Sequence, residues 1–387
     1  MYTPEVASPV ASPRPRVKVR RPRHVAVGVA VLGASVAMLG ACSSGGESAT
    51  TAPSTGAGGA PATTASTTTT TAAPAPTFPL TGLPLTDEAQ GQKPALVIKI
   101  DNVDQYSRPQ AGINQADIVY EEKIEGPISR FAAVFHSKEL ELVGPVRSGR
   151  STDVAIVSTL NTPLYAFSGA NEVFAKKLRE APLVYISHDN QPNLFDRRPG
   201  RTAPDNVFTS TARLRTQTPP DAKPPEPQFT YRKTGADLPA GATAVNTFNY
   251  DFGGGPVGQP VSFTWDEGKK GWTRAQKGSA HVDNDGVVIA PQNVIVQFTP
   301  YHDTGLVDLS KTPVPEAELV GSGDAWVFID GKAVKAKWNK PDMVTVTSYV
   351  TADGGQPIAL DPGQTWIALV PTGGNFTATT AAGQPLA

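Results

Sequence analysis

Apolar residues form two different patterns along the chain, one in residues 79–216 and the other in residues 229–371. In the first region, continuous apolar runs alternate with stretches in which apolar residues recur at helical spacing. A short continuous run indicates a buried strand, and helical spacing indicates an amphipathic helix. The first region is therefore predicted to be a mixed α/β domain, with strands at Ala95–Ile100, Asp117–Glu121, Ser129–Phe135, Leu164–Phe167 and Leu183–Ile186.

Two helices are predicted between these strands. The first, Ser151–Leu160, begins with Ser151 or Thr152 as its N-cap. The second, Asn171–Ala181, is amphipathic and carries basic side chains on one side. We expect the opposite, apolar side to contain Val173, Phe174 and Leu178.

Short strands separated by Gly and Asp turns fill the second region, where helical periodicity is almost absent. Asp330 and Gly331 lie between two of these strands, and Asp-Gly suits the backbone of a type I′ hairpin turn. Regular short strands predict a mostly antiparallel β sandwich or barrel, so the whole chain is predicted to be an α+β protein. The predicted strands are Val261–Trp265, Gly271–Ala275, Val294–Phe298, Ala325–Ile329, Ala333–Trp338, Val344–Val350 and Thr365–Val370.

Two segments of biased composition flank the second region. Residues 217–228 contain five prolines in twelve positions, which predicts an extended linker or a long surface loop. Residues 372–387 are rich in Thr, Ala and Gly, and we expect a flexible tail there.

The N-terminal segment has the organisation of a secretory signal. Val25–Leu39 is an apolar run of about 15 residues, and basic residues precede it. A helix that spans a bilayer needs about 20 apolar residues, whereas a signal peptide combines a basic segment, a shorter apolar run and small residues at the cleavage site. We therefore predict that residues 1–41 are a signal peptide.

Cys42 follows this leader in the sequence Leu-Gly-Ala-Cys and is the single cysteine of the chain. The tetrapeptide resembles a bacterial lipobox, whose cysteine receives a diacylglyceryl group and fatty acids such as palmitate. The alternative is an ordinary secreted protein with an incidental cysteine. Because two acyl chains suffice for stable anchoring, we predict attachment to the lipid bilayer at the outer face of the cytoplasmic membrane. Residues 42–78, rich in Ala, Thr, Ser and Pro, are predicted to be a disordered tether.

Charge and composition exclude several classes of protein. The formal net charge is -1 for the whole chain, and because the leader is basic, the remainder is mildly acidic. Nucleic acid is therefore not an expected partner, since proteins that bind it carry a basic surface. Five histidines and one cysteine are few for a transition-metal site. Asp283–Gly286 resembles the start of a calcium loop but lacks the acidic residue at the twelfth position, so we predict a hairpin turn there and no metal or cofactor.

The two regions also contain a specific set of short motifs: Leu80–Leu83, Ile100–Asn102, Arg108–Gln110, Ala116–Glu121, Ile128–Phe131, Gly144–Ser148, Asn293–Phe298, Gly321–Gly323, Asp330–Lys332 and Leu360–Trp366. This set resembles the YerB-like bacterial lipoproteins, a family of two domains of unknown function. The resemblance covers about residues 79–371 and implies a surface lipoprotein with two domains, but no particular reaction. Asp205 stands where the family pattern leads us to expect His, which argues against a catalytic role at that position.

Charged and polar residues are concentrated after the predicted strands of the first region. Asp101 and Glu121 end two strands, and Arg147, Ser148 and Arg150 precede the first predicted helix. Strand ends line the ligand crevice of many α/β sheets, and the N-terminus of a helix attracts anions. We predict that these five residues form a binding site for an anionic ligand.

Three interpretations of this cluster remain open from the sequence. The first is a non-catalytic envelope module that binds an anionic cell-envelope polymer or a membrane protein. The second is a cell-wall hydrolase with Asp101 and Glu121 or Glu125 as its carboxylate pair, one of which needs a raised pKa. The third is a network of ion pairs that orders loops, such as Glu125 with Arg130 or Arg147. No Gly-x-Ser-x-Gly nucleophile motif is present, and no catalytic residue is assigned.

Overall fold

Three adjacent strands form the centre of the structure, which is a computed structural model. They are β1 (Leu96–Asp101), β2 (Ile118–Lys123) and β3 (Ser129–Phe135), and they pair antiparallel in the order β2-β3-β1. Every residue of β1 and β3 is buried. Continuous apolar sequences form strands of this kind when both faces of the sheet are covered. The three strands confirm the predicted ones to within two residues.

The structure describes residues 75–103, 105–233, 235–254, 258–308 and 310–386. The predicted signal peptide, Cys42 and most of the predicted tether lie outside this part of the chain. The α-helices are α1 (Glu88–Gly91), α2 (Thr152–Val157), α3 (Glu172–Glu180) and α4 (Thr211–Arg215), and two short 3-10 helices lie at Ile113–Gln115 and Pro192–Leu194.

The other strands of the described residues follow in chain order. They are β4 (Leu164–Phe167), β5 (Val184–Ser187), β6 (Asp196–Arg197), β7 (Val207–Phe208), β8 (Thr243–Tyr250), β9 (Val261–Asp266), β10 (Gly271–Gln276), β11 (Ser279–Ala280), β12 (Asn293–Thr299), β13 (Tyr301–Val307), β14 (Pro313–Ala317), β15 (Gly321–Ile329), β16 (Lys332–Lys340), β17 (Ser348–Thr351), β18 (Thr365–Pro371) and β19 (Phe376–Thr380).

Strands from both predicted regions join in one large mixed sheet. Its main path within the described residues is β11-β10-β9-β8-β16-β15-β12-β18-β2-β3-β1-β4-β5, with β17 beside β16 and β19 beside β8. The connection is made by β18, which is parallel to both β2 and β12. The protein is therefore mostly β. The separate sandwich or barrel expected for the second region is not what the strand pairing shows, because pairing between strands so far apart in the chain leaves no local sequence pattern.

The two faces of the central strands pack against different layers. Side chains alternate between the faces of a strand, so that neighbouring residues point in opposite directions. Val119 and Phe131 lie in a core that also contains residues of β8, β9 and β10, and we call this face the strand-covered face. Ile118 and Ala132 lie in a second core with apolar residues of α2 and α3, and we call this face the helix-covered face.

The hairpin between β15 and β16 confirms the turn predicted from Asp-Gly. Ile329 pairs with Lys332, so that two residues form the loop. Asp330 has φ 48 and Gly331 has φ 70. A type I′ turn requires positive φ at both central residues, which explains why this dipeptide is placed here.

Three local expectations are wrong. The end of the chain was expected to be flexible, but β19 pairs with β8, and Ala378 within it is buried. Val173 was expected on the apolar side of α3, but it is 49% exposed, and the buried residues of that helix are Phe174, Ala175 and Leu178. The first predicted helix is shorter than expected, since α2 has six residues. The proline-rich residues 217–228 contain no helix or strand.

Candidate functional site

Arg147 is positioned by a short extended segment that runs beside β1. Val146 forms an antiparallel bridge with Ile100, and the Arg147 N–H donates to the Lys99 carbonyl at 2.8 Å. The Arg147 carbonyl in turn accepts the N–H of Ser168, which follows β4, at 2.9 Å. These bonds fix the backbone of Arg147 beside the ends of β1 and β4.

Asp101 joins two arginines on the helix-covered face. It is the last residue of β1 and lies directly opposite Arg130 of β3 in the strand register. Arg147 Nε lies 2.8 Å from Asp101 Oδ2, and Arg130 Nε lies 3.3 Å from Asp101 Oδ1. A further carboxylate, that of Asp205, has its Oδ1 3.9 Å from Arg147 Nε. The structure thus brings together Asp101 and Arg147, two of the five candidate residues.

Arg150 and Ser148, two further candidates, lie next to this pair. Arg150 Nη2 is 2.5 Å from Glu125 Oε1, and its Nη1 donates to the Gly149 carbonyl at 3.0 Å. Ser148 contributes its backbone carbonyl, which accepts hydrogen bonds from Arg130 Nη1 at 3.3 Å and Arg150 Nη1 at 3.5 Å. Ion pairs therefore do order these loops, but the partner of Glu125 is Arg150 instead of Arg130 or Arg147.

Arg130, Arg147 and Arg150 line a single cleft of about 770 Å³, which we call the arginine cleft. Arg130 is 4% exposed, whereas the side chain of Arg147 is 21% exposed. Within the described residues, Arg130 Nη2 and both Nη atoms of Arg147 have no hydrogen-bond acceptor. The planar guanidinium presents its five N–H groups in fixed directions, so an ion pair on one edge leaves donors on the other.

The charges in this cluster change two pKa values. Burial raises the pKa of Asp101, but the positive charge of Arg130, a hydrogen bond with the Asp205 side chain and the positive charge of Arg147 together outweigh burial and lower it to about 2. Burial and the adjacent Arg150 lower the pKa of Arg130 to about 10. Asp101 and Arg130 are therefore ionised at neutral pH. Guanidinium groups held in this way can bind a carboxylate or a phosphate through charge-assisted hydrogen bonds.

Glu121, the fifth candidate residue, faces away from the arginine cleft. It lies on the strand-covered face of β2 and is fully buried. Its Oε1 accepts hydrogen bonds from Ser129 Oγ at 2.7 Å and Arg274 Nη2 at 2.8 Å. Its Oε2 accepts from Tyr250 Oη at 2.6 Å and Trp366 Nε1 at 3.0 Å. The prediction that Glu121 joins the other candidates is wrong, because the strand register places it on the opposite face of the sheet.

The N-terminus of α2 is not open to an external anion. Asp153 lies in the first turn of the helix, and its Oδ2 accepts the Arg150 N–H at 2.7 Å. Ser151 occupies the N-cap position but makes no side-chain capping bond. A carboxylate of the protein thus already occupies the place that a bound anion would take. The positive charge of the cleft comes from the arginine side chains and not from the helix.

A buried charged cluster lies beside these arginines on the helix-covered face. Lys99 Nζ forms ion pairs with Glu122 and with Asp153, whose Oδ1 is 2.7 Å away. Tyr165 Oη donates to Asp153 Oδ2 at 2.5 Å, and all four side chains are fully buried. Burial and the negative charge of Asp153 raise the pKa of Glu122 to about 7, although Lys99 opposes the shift. One lysine cannot neutralise two buried carboxylates, so protonation of Glu122 removes the excess negative charge.

Glu122→Gln is expected to gain stability relative to the wild type as the pH rises from 4.5 to 7. A raised carboxyl pKa means that the folded state binds the proton more tightly than the unfolded state, so this stabilisation is complete below about pH 4.5 and is lost as the pH passes 7. Buried His136, whose pKa is lowered to about 4, changes stability in the opposite direction, but equally in both proteins. Urea unfolding across this pH range measures the difference. A constant difference between the two proteins would contradict the assignment, and the exposed control Glu141→Gln should follow the wild-type profile.

The segment Asp283–Gly286 forms a turn. Asp283 Oδ1 accepts the backbone N–H groups of Asp285 at 3.0 Å and Val287 at 3.1 Å. Gly286 has φ 76, a backbone conformation that favours glycine. In the part of the chain that the structure describes, no group of three or more His, Cys, Asp or Glu side chains is placed to hold a metal ion.

Arg130 and Asp205, which lie beside Arg147, were not identified as site residues from the sequence. Arg130 is a charged residue within the otherwise apolar run Ser129–Phe135, and that position was a usable signal because a buried charge needs a partner. Asp205 lies far from Arg147 in the chain, and its position beside that side chain depends on the fold. No sequence pattern links the two.

Two protein-family models match the chain. Residues 80–223 match "Protein of unknown function (DUF3048) N-terminal domain", and residues 252–367 match "Protein of unknown function (DUF3048) C-terminal domain". Together the two matches cover more than half of the chain, and they include Asp101, Arg130, Arg147 and Arg150.

The chain is similar to a protein of Bacillus subtilis (strain 168) that is described as "Putative lipoprotein YerB". The two are 27% identical over 312 residues, which cover 76% of this chain and 86% of the relative. The structure is similar to the crystal structure of the YerB protein from Bacillus subtilis, with a TM-score of 0.65 at 25% identity, over 76% of this chain and 96% of that one. None of the helices in the described residues has the length and apolar character needed to cross a membrane. The matched domains and these similarities confirm the resemblance seen in the sequence, and the chain belongs to the YerB-like family, defined by N- and C-terminal DUF3048 domains.

Proposed function

We propose that the protein is a lipoprotein held at the outer face of the bacterial cytoplasmic membrane by acylated Cys42, and that it binds an anionic group of the cell envelope in the arginine cleft. The leader, the Leu-Gly-Ala-Cys sequence and the similarity to a protein named as a lipoprotein support the anchor. Two acyl chains hold a protein at a bilayer without a spanning helix, since each buried methylene contributes about 0.8 kcal/mol.

Mass spectrometry of the native protein tests the anchor. The mature N-terminus is expected to be Cys42, with the added mass of a diacylglyceryl group and a fatty acid, and residues 1–41 are expected to be absent. The Cys42→Ser variant is expected to keep its leader, because the thiol that accepts the lipid is missing. An intact leader on the wild type, or a mature N-terminus without acyl mass, would overturn the proposed anchor.

The observation that carries the binding function is the orientation of Arg130 and Arg147. Asp101 holds each guanidinium through its Nε, and the Nη donors described above remain for a ligand. A guanidinium that is already fixed loses little side-chain entropy when it binds an anion. The low exposure of Arg130 also keeps water away from its donors, which strengthens a charge-assisted hydrogen bond.

An anionic polymer is the partner that we propose first. The predicted tether would place the folded part of the chain among the polymers of the envelope, and repeated anionic groups on one chain rebind the same cleft at high effective concentration. A membrane protein that presents a carboxylate to the cleft is the alternative partner. Binding of a polymer should depend mainly on the arginine cleft. Binding of a membrane protein should depend on it less, because a protein interface also buries the surface around the cleft.

A hydrolase that uses the predicted carboxylates is the weaker proposal. A general acid at neutral pH needs a raised pKa, whereas the pKa of Asp101 is about 2. Glu121 faces the other side of the sheet, and Glu125 is paired with Arg150. These three carboxylates therefore do not form the acid and base pair that the hypothesis requires.

Arg147→Gln is expected to weaken the binding of polyanions by roughly tenfold, because it removes charge-assisted hydrogen bonds to the ligand. The measurement is fluorescence anisotropy of labelled polyphosphate and of labelled polyglutamate, titrated with the full lipid-modified chain in detergent micelles. The matched control is Arg213→Gln, which removes the same charge from α4, where Arg213 pairs with Asp196 at the surface.

The control separates a defined site from diffuse attraction. Arg213→Gln is expected to bind both polymers as the wild type does. Equal weakening by the two substitutions would mean that the polymers respond only to net charge, and the arginine cleft would lose its assignment. A wild type that binds neither polymer would overturn the proposed polymer partner.

A further inference from the structure

We infer that the ligand of the arginine cleft carries a small aliphatic group joined directly to its anionic group, which is a carboxylate or a phosphate. This inference rests on the proposed function and concerns the wall of the cleft that the arginines do not form. Val307 of β13 and Val314 of β14 line the same cleft as the three arginines. The site therefore combines guanidinium donors with an aliphatic wall, and the carboxylates of Glu125, Asp189 and Asp308 also line the cleft.

The exposure of Val307 is the first observation. Its side chain is 52% exposed, although it is a large apolar residue in a strand. Val314, its neighbour in the cleft wall, is 3% exposed and packs into the protein. When a ligand covers an apolar side chain that faces water, the free energy of binding becomes more favourable by about 25 cal/mol per Å² of apolar surface buried.

A shift in strand register, in which β13 has two residues more than β14, provides the second observation. The register of β13 and β14 is regular from Tyr301 to Asp303, then shifts before Val307 pairs with Pro313. Gly305 lies within the shift with φ 73, and its N–H donates to Asp303 Oδ1 at 2.9 Å. A bulge redirects the side chains that follow it, and bulges are frequent beside binding sites. Val307 follows this shift, so the alternation of side chains from Tyr301 to Asp303 does not extend to it.

The hairpin is attached to the sheet at its base and ordered by local bonds at its tip, so the aliphatic wall is formed before a ligand binds. At the base, Tyr301 Oη donates to the Leu369 carbonyl at 2.8 Å and accepts the Lys123 N–H at 3.1 Å. At the tip, Asp308 Oδ1 accepts the N–H groups of Ser310 at 2.9 Å and Thr312 at 2.8 Å. A preformed wall avoids the entropy cost of ordering a loop on binding.

The arginine donors and the aliphatic wall together predict that the affinity for an anion depends on the apolar group it carries. Inorganic phosphate can satisfy only the arginine donors, and acetate adds a single methyl group that covers little of the aliphatic wall. Each methylene next to the anionic group that reaches Val307 should strengthen binding by about two- to fourfold, until the aliphatic wall is covered. An anion of equal charge but without apolar substituents should therefore bind more weakly at the same head group.

Competition against labelled polyphosphate tests this inference with the full lipid-modified chain in micelles. One series contains acetate, propanoate, butanoate and pentanoate, and the other contains inorganic phosphate, ethyl phosphate and butyl phosphate; micelles without protein serve as the blank. We expect the concentration for half displacement to fall along at least one series. The series that displaces at lower concentration identifies the head group as carboxylate or phosphate.

Val307→Thr is expected to flatten this dependence on chain length without changing displacement by inorganic phosphate or acetate. Threonine keeps the branched shape that suits a strand and replaces one methyl with a hydroxyl. The matched control is Val173→Thr, because Val173 is also about half exposed, on α3, and does not line the cleft. The control should retain the wild-type dependence.

The outcomes separate this inference from the proposed function. Equal displacement by short and long members of both series, or an unchanged dependence in Val307→Thr, would overturn the aliphatic wall while leaving the anion site intact. Arg147→Gln should weaken every member of both series alike. If no anion displaces polyphosphate from the wild type, the proposed anion site itself fails.

Discussion

The hydrogen bonds to the buried carboxylate of Glu121 are the constraint on which the rest of the structure depends. Its four donors come from β3, β8, β10 and β18, so a single side chain connects strands of both family domains. Its ion pair with Arg274 is fully buried, and that guanidinium also lies 4.9 Å from the centre of the Trp366 ring. Loss of one partner from such a pair leaves a buried charge and costs about 3–5 kcal/mol. The same strand geometry places the neighbouring cluster of Asp101 and Arg130 on the opposite face, where the arginine cleft opens.

Local sequence predicted the central strands well, but it could not predict how distant strands pair. The run Ser129–Phe135 gave the bounds of β3 because each of its residues is buried, and Asp330 and Gly331 gave the hairpin because the turn needs positive φ. The parallel pairing of β18 with β2 has no local signal, and the division of the chain into domains near the proline-rich segment stays a prediction. The C-terminal strand β19 was missed because its Thr and Ala residues are typical of a disordered tail.

The candidate site was predictable only in part, for a related reason. Arg147, Arg150 and Asp101 were identified because polar residues after buried strands gather at one sheet edge. Glu121 was assigned to the wrong face because the alternation of side chains becomes informative only when the register between strands is known. The aliphatic wall was absent from the prediction, since the β13–β14 hairpin that carries it approaches the cleft from a distant part of the chain.

The central claim is that the charged residues of the strand-covered face are fully paired, whereas the arginines of the helix-covered face are available to a ligand. Modification of arginines with phenylglyoxal, mapped by mass spectrometry, tests this claim most directly. We expect Arg147 of the folded chain to be modified and polyphosphate to protect it. Arg274, which is fully buried, should remain unmodified with or without polyphosphate. Equal modification of Arg147 in the presence and absence of polyphosphate would contradict a ligand site at Arg147, and modification of Arg274 in the folded chain would contradict its burial.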